Sequence, residues 1–286
     1  MLLRARAPAK VNLTLHVLGR RLDGFHELDS LVAFAGCAAD ALTLEPDGPL
    51  SLAVEGPFSD AAGPTDDNLV LKAAREAAAR IEGLRLGRFT LVKRVPVAAG
   101  IGGGSADAGA ALRLLCEANG LPHDDARIVA AAAATGSDVP ACLESRAAMM
   151  RGRGEGLAPV DLPPLCAVLA NPLKPLSTVA VYHGLGLAAG ERLGGPSPEP
   201  GATFEAAVAA IAAGRNDLEP PARALEPAVV RGVAALSAVD DCLLARMSGS
   251  GATVFGLFDD VRAARRAART LRGALPGWWI RPTLLQ

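Results

Sequence analysis

The sequence predicts an α+β protein of two lobes with a cleft between them, on three observations. Its 286 residues suffice for roughly two domains of ordinary size. Segments that alternate apolar and polar residues, as half-buried strands do, are interleaved with stretches carrying an apolar stripe at helical spacing. The tract Arg151-Gly-Arg-Gly-Glu-Gly156, followed by a stretch with three prolines at Leu157–Leu165, sets a soft boundary near residue 160.

The elements follow in order. Lys10–Val17 alternates strictly, with Val11, Leu13, Leu15 and Val17 on one face and Lys10, Asn12, Thr14 and His16 on the other, which predicts one half-buried strand. Gly19 and Asp23-Gly24 punctuate a turn, and Leu28–Leu44 and Leu50–Glu55 supply further short strands. Thr65-Asp66-Asp67-Asn68 supplies capping residues for a helix whose stripe is Leu69, Val70, Ala73, Ala74, Ala77 and Ile81. Phe89–Val95 reads as a strand ended by Pro96, and Ser105–Asn119 as a helix stopped by Gly120. Asp124–Ala134 is another helix, and Ser137-Asp138-Val139-Pro140 its exit loop, because a proline biases the preceding residue towards extended backbone.

The second half begins with a strand at Cys166–Ala170, the loop Asn171–Thr178 and a proline- and glycine-rich insert at Gly194–Gly201. Helices then fall around Phe204–Ala213 and Ala222–Ala235. Ser248-Gly-Ser-Gly251, a strand at Ala252–Phe258, a basic helix at Val261–Leu271 and a strand around Trp278–Ile280 complete the chain.

Composition narrows the function. The 29 Lys+Arg against 30 Asp+Glu leave a net charge of −1, with no basic field for a nucleic-acid backbone, so small-molecule partners and no nucleic acid are expected. The longest apolar stretches, such as Leu31–Ala39, fall short of the roughly 18–20 residues of a membrane-spanning helix. Arg4 and Arg6 interrupt the apolar start, so no secretory segment is read and a cytoplasmic protein without membrane contact is expected. The five scattered cysteines signal neither disulfides nor a zinc site and read as small buried residues.

The stretch that carries chemistry is Pro96-Val97-Ala98-Ala99-Gly100-Ile101-Gly102-Gly103-Gly104-Ser105. Four glycines between a strand and a helix N-terminus let the backbone approach an anion and aim several N–H groups at it, with the helix dipole adding positive potential. Phosphate is the obvious ligand; a tight turn without ligand is the plainer alternative. Two other phosphate loops are excluded: no Gly-Lys pair exists for a Walker loop, and Ser105 stands where a dinucleotide fingerprint needs glycine. A His-Arg-Asp kinase loop is also absent.

This tract is instead similar to the ATP-phosphate loop of the galactokinase–homoserine kinase–mevalonate kinase–phosphomevalonate kinase superfamily. Pro8-Ala9-Lys10-Val11-Asn12-Leu13, Gly19-Arg20-Arg21-Leu22-Asp23-Gly24-Phe25-His26, Ser137-Asp138-Val139-Pro140 and Ser248-Gly249-Ser250-Gly251 resemble further motifs of one branch of it, in the same order across nearly the whole chain. The resemblance implies a two-lobed small-molecule kinase with its active site in the inter-lobe cleft. Residues 1–160 would form the ATP-binding and catalytic domain, and residues 161–286 a domain completing the substrate cleft. It further implies transfer of a phosphoryl group from ATP, with Mg²⁺, to the 2-hydroxyl of a cytidine-diphosphate-linked methylerythritol, in the non-mevalonate route to isoprenoid precursors.

Taken alone, Asp138 reads equally as a turn former and Lys10 as a solvated surface lysine. The resemblance makes them the catalytic pair, Lys10 keeping Asp138 ionised and orienting the acceptor hydroxyl. Substrate contacts are implied at Asn12, Phe25, His26, Thr178, Tyr182, Gly249 and Gly251, with Phe25 and Tyr182 sandwiching the cytosine and His26 facing its hydrogen-bonding edge. Phe25 departs from the tyrosine common in the family and lacks its hydroxyl. Ala106 follows Ser105 where some members carry a second serine, so hydroxyl help to phosphate or metal falls on Ser105.

Overall fold

A computed structural model describes residues 1–63 and 65–286. In chain order its strands are β1 (Leu3–Asn12), β2 (His16–Arg20), β3 (His26–Pro46), β4 (Ser51–Glu55), β5 (Gly87–Val92), β6 (Ala148–Gly152), β7 (Gly156–Pro159), β8 (Leu165–Asn171), β9 (Cys242–Met247), β10 (Val254–Phe258) and β11 (Trp279–Leu285). The helices are α1 (Leu69–Ala78), α2 (Gly103–Asn119), α3 (Ala126–Thr135), α4 (Val139–Glu144), α5 (Thr178–His183), α6 (Phe204–Ala213), α7 (Glu219–Leu225), α8 (Pro227–Ser237) and α9 (Val261–Ala274).

The chain forms two compact units, one of Met1–Lys10, Ala38–Val97 and Gly102–Arg146, the other of Val11–Cys37, Ala98–Ile101 and Ala147–Gln286. The sequence suggests one division near residue 160; the nearest change of unit falls between Arg146 and Ala147, and the chain also changes unit after Lys10 and Cys37 and within the glycine tract. Composition marks flexible linkers, and a continuous strand such as β3, which serves one unit with its first half and the other with its second, leaves no such mark.

In the first unit, β4 runs parallel to β5 with α1 as the crossover, and β5 pairs antiparallel with Ala41–Pro46 of β3. Helix α1 forms because Asn68, as foreseen, caps it: its Oδ1 accepts the N–H of Val70 at 3.0 Å. The stripe Val70, Leu71, Ala73, Ala74 and Ala77 is buried, packed on α2 and α3. Helix α2 starts two residues earlier than the sequence suggests, because Gly102 takes a left-handed conformation (φ 59°) and caps it without a side chain. It ends at Gly120, also left-handed, whose N–H bonds to the Cys116 carbonyl. Gly109 sets the depth of α4 against α2: a Cβ there would stand 2.6 Å from the Cys142 carbonyl group.

Asp138-Val139-Pro140 does not form an extended exit loop. Val139 opens α4 and Pro140 lies in its first turn, where a missing N–H costs no hydrogen bond and the fixed φ suits a helix.

In the second unit, the first half of β3 pairs antiparallel with β2 and β6, and β6 with β7. The antiparallel order β11-β8-β10-β9 continues from β3 through Leu285 opposite Ala35. Helices α8 and α9 pack on this sheet, burying Val229, Leu236, Ala264, Ala268 and Leu271 against Val168, Val254 and Ile280.

Several elements differ from the sequence reading. Lys10–Val17 is not one half-buried strand: the chain bends at Leu13-Thr14 between β1 and β2, and the polar face is buried as well. Those polar groups find partners: Asn12 donates to Ser30, Thr14 shares a hydrogen with Ser197, and the His16 ring bonds the Gly195 carbonyl and the Arg215 N–H. Leu28–Leu44 is part of one 21-residue strand. Ala222–Ala235 is two helices, broken where Glu226 is extended before Pro227. Of the cysteines, Cys116, Cys142 and Cys166 are buried, but Cys37 is exposed and Cys242 half-buried; all five are free.

Candidate active site

The glycine tract divides between the two units, with Ala98–Ile101 in the second and its flanks in the first. In the first unit, the first intrahelical bond of α2 runs from the Ala106 N–H to the Gly102 carbonyl at 2.8 Å. The N–H groups of Gly103, Gly104 and Ser105 therefore precede the helical ladder and point along the positive end of its dipole. The first turn holds no acidic residue that would repel an anion.

Lys10 and Asp138 meet at this turn. Lys10 Nζ lies 3.4 Å from Asp138 Oδ2, with side-chain exposures of 5% and 38%. A Cβ on Gly102 would stand 3.3 Å from Lys10 Cβ and 3.9 Å from Asp138 Oδ2, so the glycine backbone passes directly over the pair. Lys10 is a buried lysine, not a solvated one. Asp138 occupies the position preceding α4, yet its side chain makes no capping bond and stays free to meet a second molecule.

A second lysine, which sequence reasoning did not single out, stands behind the same turn. Lys93 Nζ bonds Asp40 Oδ2 at 2.6 Å and Asp107 Oδ2 at 2.8 Å, all three side chains closed to solvent. Asp40 Oδ1 accepts the N–H groups of Arg94 and Val95, fixing the backbone that leads into Pro96. A Cβ on Gly103 would stand 3.4 Å from Lys93 Nζ. Burial pushes the Asp107 carboxyl up to about 8, against the pull of Lys93 and with the help of the Asp40 charge. Burial disfavours the Lys93 charge, but the two carboxylates outweigh it and its pKa is raised. A signal was available: only four of the 29 basic residues are lysines, and Lys93 lies three residues before Pro96.

In the second unit, Ala98–Ile101 is held by the Ser248–Gly251 motif. Ser248 Oγ accepts the Asn12 N–H at 3.0 Å and donates to the Gly100 carbonyl at 3.3 Å, and Thr253 Oγ1 donates to the Ala99 carbonyl at 2.6 Å. Gly100 (φ 72°) and Gly251 (φ 84°) touch backbone to backbone, leaving no room for a side chain on Gly100. Gly249 approaches the Gly100 carbonyl and Asn12 Oδ1, and Asn216 steadies the motif by donating to the Met247 and Gly249 carbonyls. Thr178 Oγ1 lies 2.8 Å from Ser250 Oγ. Asn12, Thr178, Gly249 and Gly251 are thus gathered around this part of the tract together with Ser248 of the expected motif, and Asn216 and Thr253 are partners the sequence did not reveal.

Phe25, His26 and Tyr182 share the second unit. The His26 and Tyr182 rings lie 4.7 Å apart at 32°, and Tyr182 sits on the short helix α5, which follows the expected loop Asn171–Thr178 and to which the sequence reading assigns no element. Burial first, and the nearby Arg20 charge second, lower the His26 pKa, which keeps the imidazole neutral with one donor and one acceptor nitrogen. Phe25 is 49% exposed, and the Arg153 guanidinium covers its ring at 3.6 Å from the centroid.

Comparison with known proteins places this geometry. Residues 68–146 match the GHMP kinases N terminal domain and residues 202–277 the GHMP kinases C terminal model. The chain is 61% identical to the 4-diphosphocytidyl-2-C-methyl-D-erythritol kinase of Methylobacterium radiotolerans, covering 100% of this chain and 99% of that one. The enzyme of the same name from Xanthobacter autotrophicus is 59% identical, again over 100% and 99%. A crystal structure of 4-(cytidine 5'-diphospho)-2C-methyl-D-erythritol kinase superposes with a TM-score of 0.76 at 36% identity, covering 99% of each chain. The L. major mevalonate kinase shares the fold at a TM-score of 0.69 and 15% identity, over 99% of this chain and 95% of that one. The chain belongs to the 4-diphosphocytidyl-2-C-methyl-D-erythritol kinase family of the GHMP kinases.

Proposed function

We propose that the protein transfers the γ-phosphoryl group of ATP to the 2-hydroxyl of 4-diphosphocytidyl-2-C-methyl-D-erythritol, giving ADP and the 2-phosphate. The observation that carries this reading is the Lys10–Asp138 pair at 3.4 Å beneath Gly102, at the N-terminus of α2. Phosphoryl transfer needs little covalent help from a protein. It needs an acceptor oxygen held in line and positive potential around the phosphate oxygens.

The N–H groups of Gly103, Gly104 and Ser105 supply that potential to the nucleotide, with Pro96–Ile101 completing the loop. Asp138 accepts the hydrogen of the acceptor hydroxyl as its oxygen bonds to phosphorus and the bond to the ADP oxygen breaks. Lys10 keeps Asp138 ionised and draws the hydroxyl oxygen towards the loop. Magnesium brought in with the nucleotide would take most of its ligands from phosphate oxygens and water, and the Ser105 hydroxyl, in the first turn of α2, would be the protein group nearest to help hold it. Bound there with the nucleotide, it would neutralise phosphate charge.

On the acceptor side, the neutral His26 can pair with the hydrogen-bonding edge of the cytosine, Phe25 offers it a ring to stack on, and Asn12, Thr178, Tyr182, Gly249 and Gly251 line the remainder. In this scheme residues 1–160 supply the nucleotide loop and catalytic pair, and residues 161–286 supply Thr178, Tyr182 and the Ser248–Gly251 motif. A cytoplasmic setting belongs to the same proposal, supported by five free thiols of the kind a reducing compartment maintains.

The test is ADP release with 4-diphosphocytidyl-2-C-methyl-D-erythritol beside free methylerythritol phosphate and mevalonate. Turnover confined to the first supports the reading; equal or faster turnover of either of the others overturns it.

A further inference from the structure

We propose that Arg153 is a specificity-determining residue of this chain, binding the diphosphate that joins base to polyol in the acceptor. The inference rests on the acceptor assigned above. An acceptor carrying a diphosphate brings two or more negative charges close to its base, and charge of that kind calls for a guanidinium that is not already spent on a carboxylate.

Of the arginines of the second unit near Phe25 and His26, Arg21 and Arg151 are held by carboxylates, whereas Arg20, bonded to a backbone carbonyl, and Arg153 are not. Arg20 donates to the Leu187 carbonyl at 3.0 Å. Arg21 is paired with Asp23 and Glu27 at 3.3 and 3.2 Å. Arg151, two residues before Arg153, is taken by Asp29 and Glu199. Among the described residues no carboxylate oxygen lies within salt-bridge distance of the Arg153 guanidinium, whose recorded contact is the face of Phe25.

The backbone of Arg153 is nevertheless fixed. It lies in the turn of the β6–β7 hairpin, between Arg151 and Gly156 paired across the strands, and its N–H donates to Glu155 Oε2 at 2.6 Å. Gly152 and Gly154 both have positive φ, which makes the turn tight. A free cation on an anchored turn is thus held over the exposed ring that the acceptor base is assigned to. Cation–π contact at an exposed ring is weak, about 0.5–1 kcal/mol, so a bidentate bond to phosphate oxygens readily replaces it. Leaving the ring for the diphosphate also uncovers the Phe25 face for the base.

The experiment measures equilibrium binding of cytidine and of CDP to the full chain, with the phosphate-donor site filled by a non-hydrolysable ATP analogue. It compares wild type, Arg153→Ala and Arg153→Lys. Arg153→Ala should weaken CDP about tenfold or more and leave cytidine within about threefold, and Arg153→Lys should recover part of the CDP loss. In turnover, the same alanine variant should raise KM for the acceptor about tenfold and KM for ATP by less than about threefold. Equal loss for cytidine and CDP, or no loss for either, overturns the proposal. Failure of wild type to bind both compounds overturns the assigned acceptor and this proposal with it.

Discussion

Lys10 with Asp138, and Lys93 with Asp40 and Asp107, are two lysine–carboxylate groupings in one unit, set against neighbouring glycines of one turn. Their chemistry is alike and their accessibility is opposite. Lys93 and both of its partners are closed to solvent, whereas Asp138 is 38% exposed beside a buried lysine. A carboxylate with no access cannot meet an acceptor hydroxyl, however well its charge is balanced. The closed group instead fixes geometry: it joins the second half of β3, the backbone leading into Pro96 and the second turn of α2 at one point. The open pair has the reverse arrangement, a fixed cation and a free oxygen, which suits it to a reaction.

The comparison is broken most severely at Lys93. Lys93→Met leaves the buried Asp40 carboxylate without its cation and the Asp107 carboxyl without its partner, and the expected loss is about 3–5 kcal/mol of folding stability in denaturant titration. A loss under about 1 kcal/mol would show that the cluster is not the structural half of the comparison.

Lys10→Ala and Asp138→Asn should act the other way, lowering kcat by roughly 10²-fold or more while melting close to wild type and still binding ATP. Asp138 makes no capping bond, so its replacement removes no helix-terminus interaction.

A smaller effect is expected at Phe25. Base stacking on an aromatic ring is worth about 1–3 kcal/mol, so Phe25→Ala should raise KM for the acceptor and not for ATP. An equal rise in both would remove Phe25 from the acceptor side.

The closed group can also be probed by pH. Asp107 is raised in the folded state from 3.8 to about 8, so its contribution to stability is fully present below about pH 4 and is lost as pH rises towards about 8. The slope it adds is at most about 1.4 kcal/mol per pH unit. Urea unfolding between pH 5 and 9 should therefore show a fall in stability that Asp107→Asn flattens; parallel curves for the two proteins would count against the buried, protonatable carboxyl.

Much of this was legible in the residues. The glycine tract, the Asn68 cap and the end of α2 at Gly120 are local signals, written in residue types that only certain backbone conformations favour. Lys10 was recognisable through its motif but misplaced by physics alone, because a lysine opening an alternating strand reads as solvated until its partner from residue 138 is brought beside it. Lys93, Asp40 and Asp107 were missed for the same reason: their separations of 53 and 14 residues carry no periodicity, and burial appears only when β3, β5 and α2 pack. Pro140 misled because one residue type serves both to end a helix and to begin one.

The claim on which the rest depends is that Lys10 and Asp138 work as one unit upon the acceptor hydroxyl. A double-mutant cycle on kcat, with Lys10→Ala, Asp138→Asn and their combination, tests it most directly. If they act together, the double variant is about as slow as the slower single variant, because either change already disables the pair. If instead the two losses multiply, to roughly 10⁴-fold from singles of roughly 10²-fold, the residues act independently and the account is contradicted.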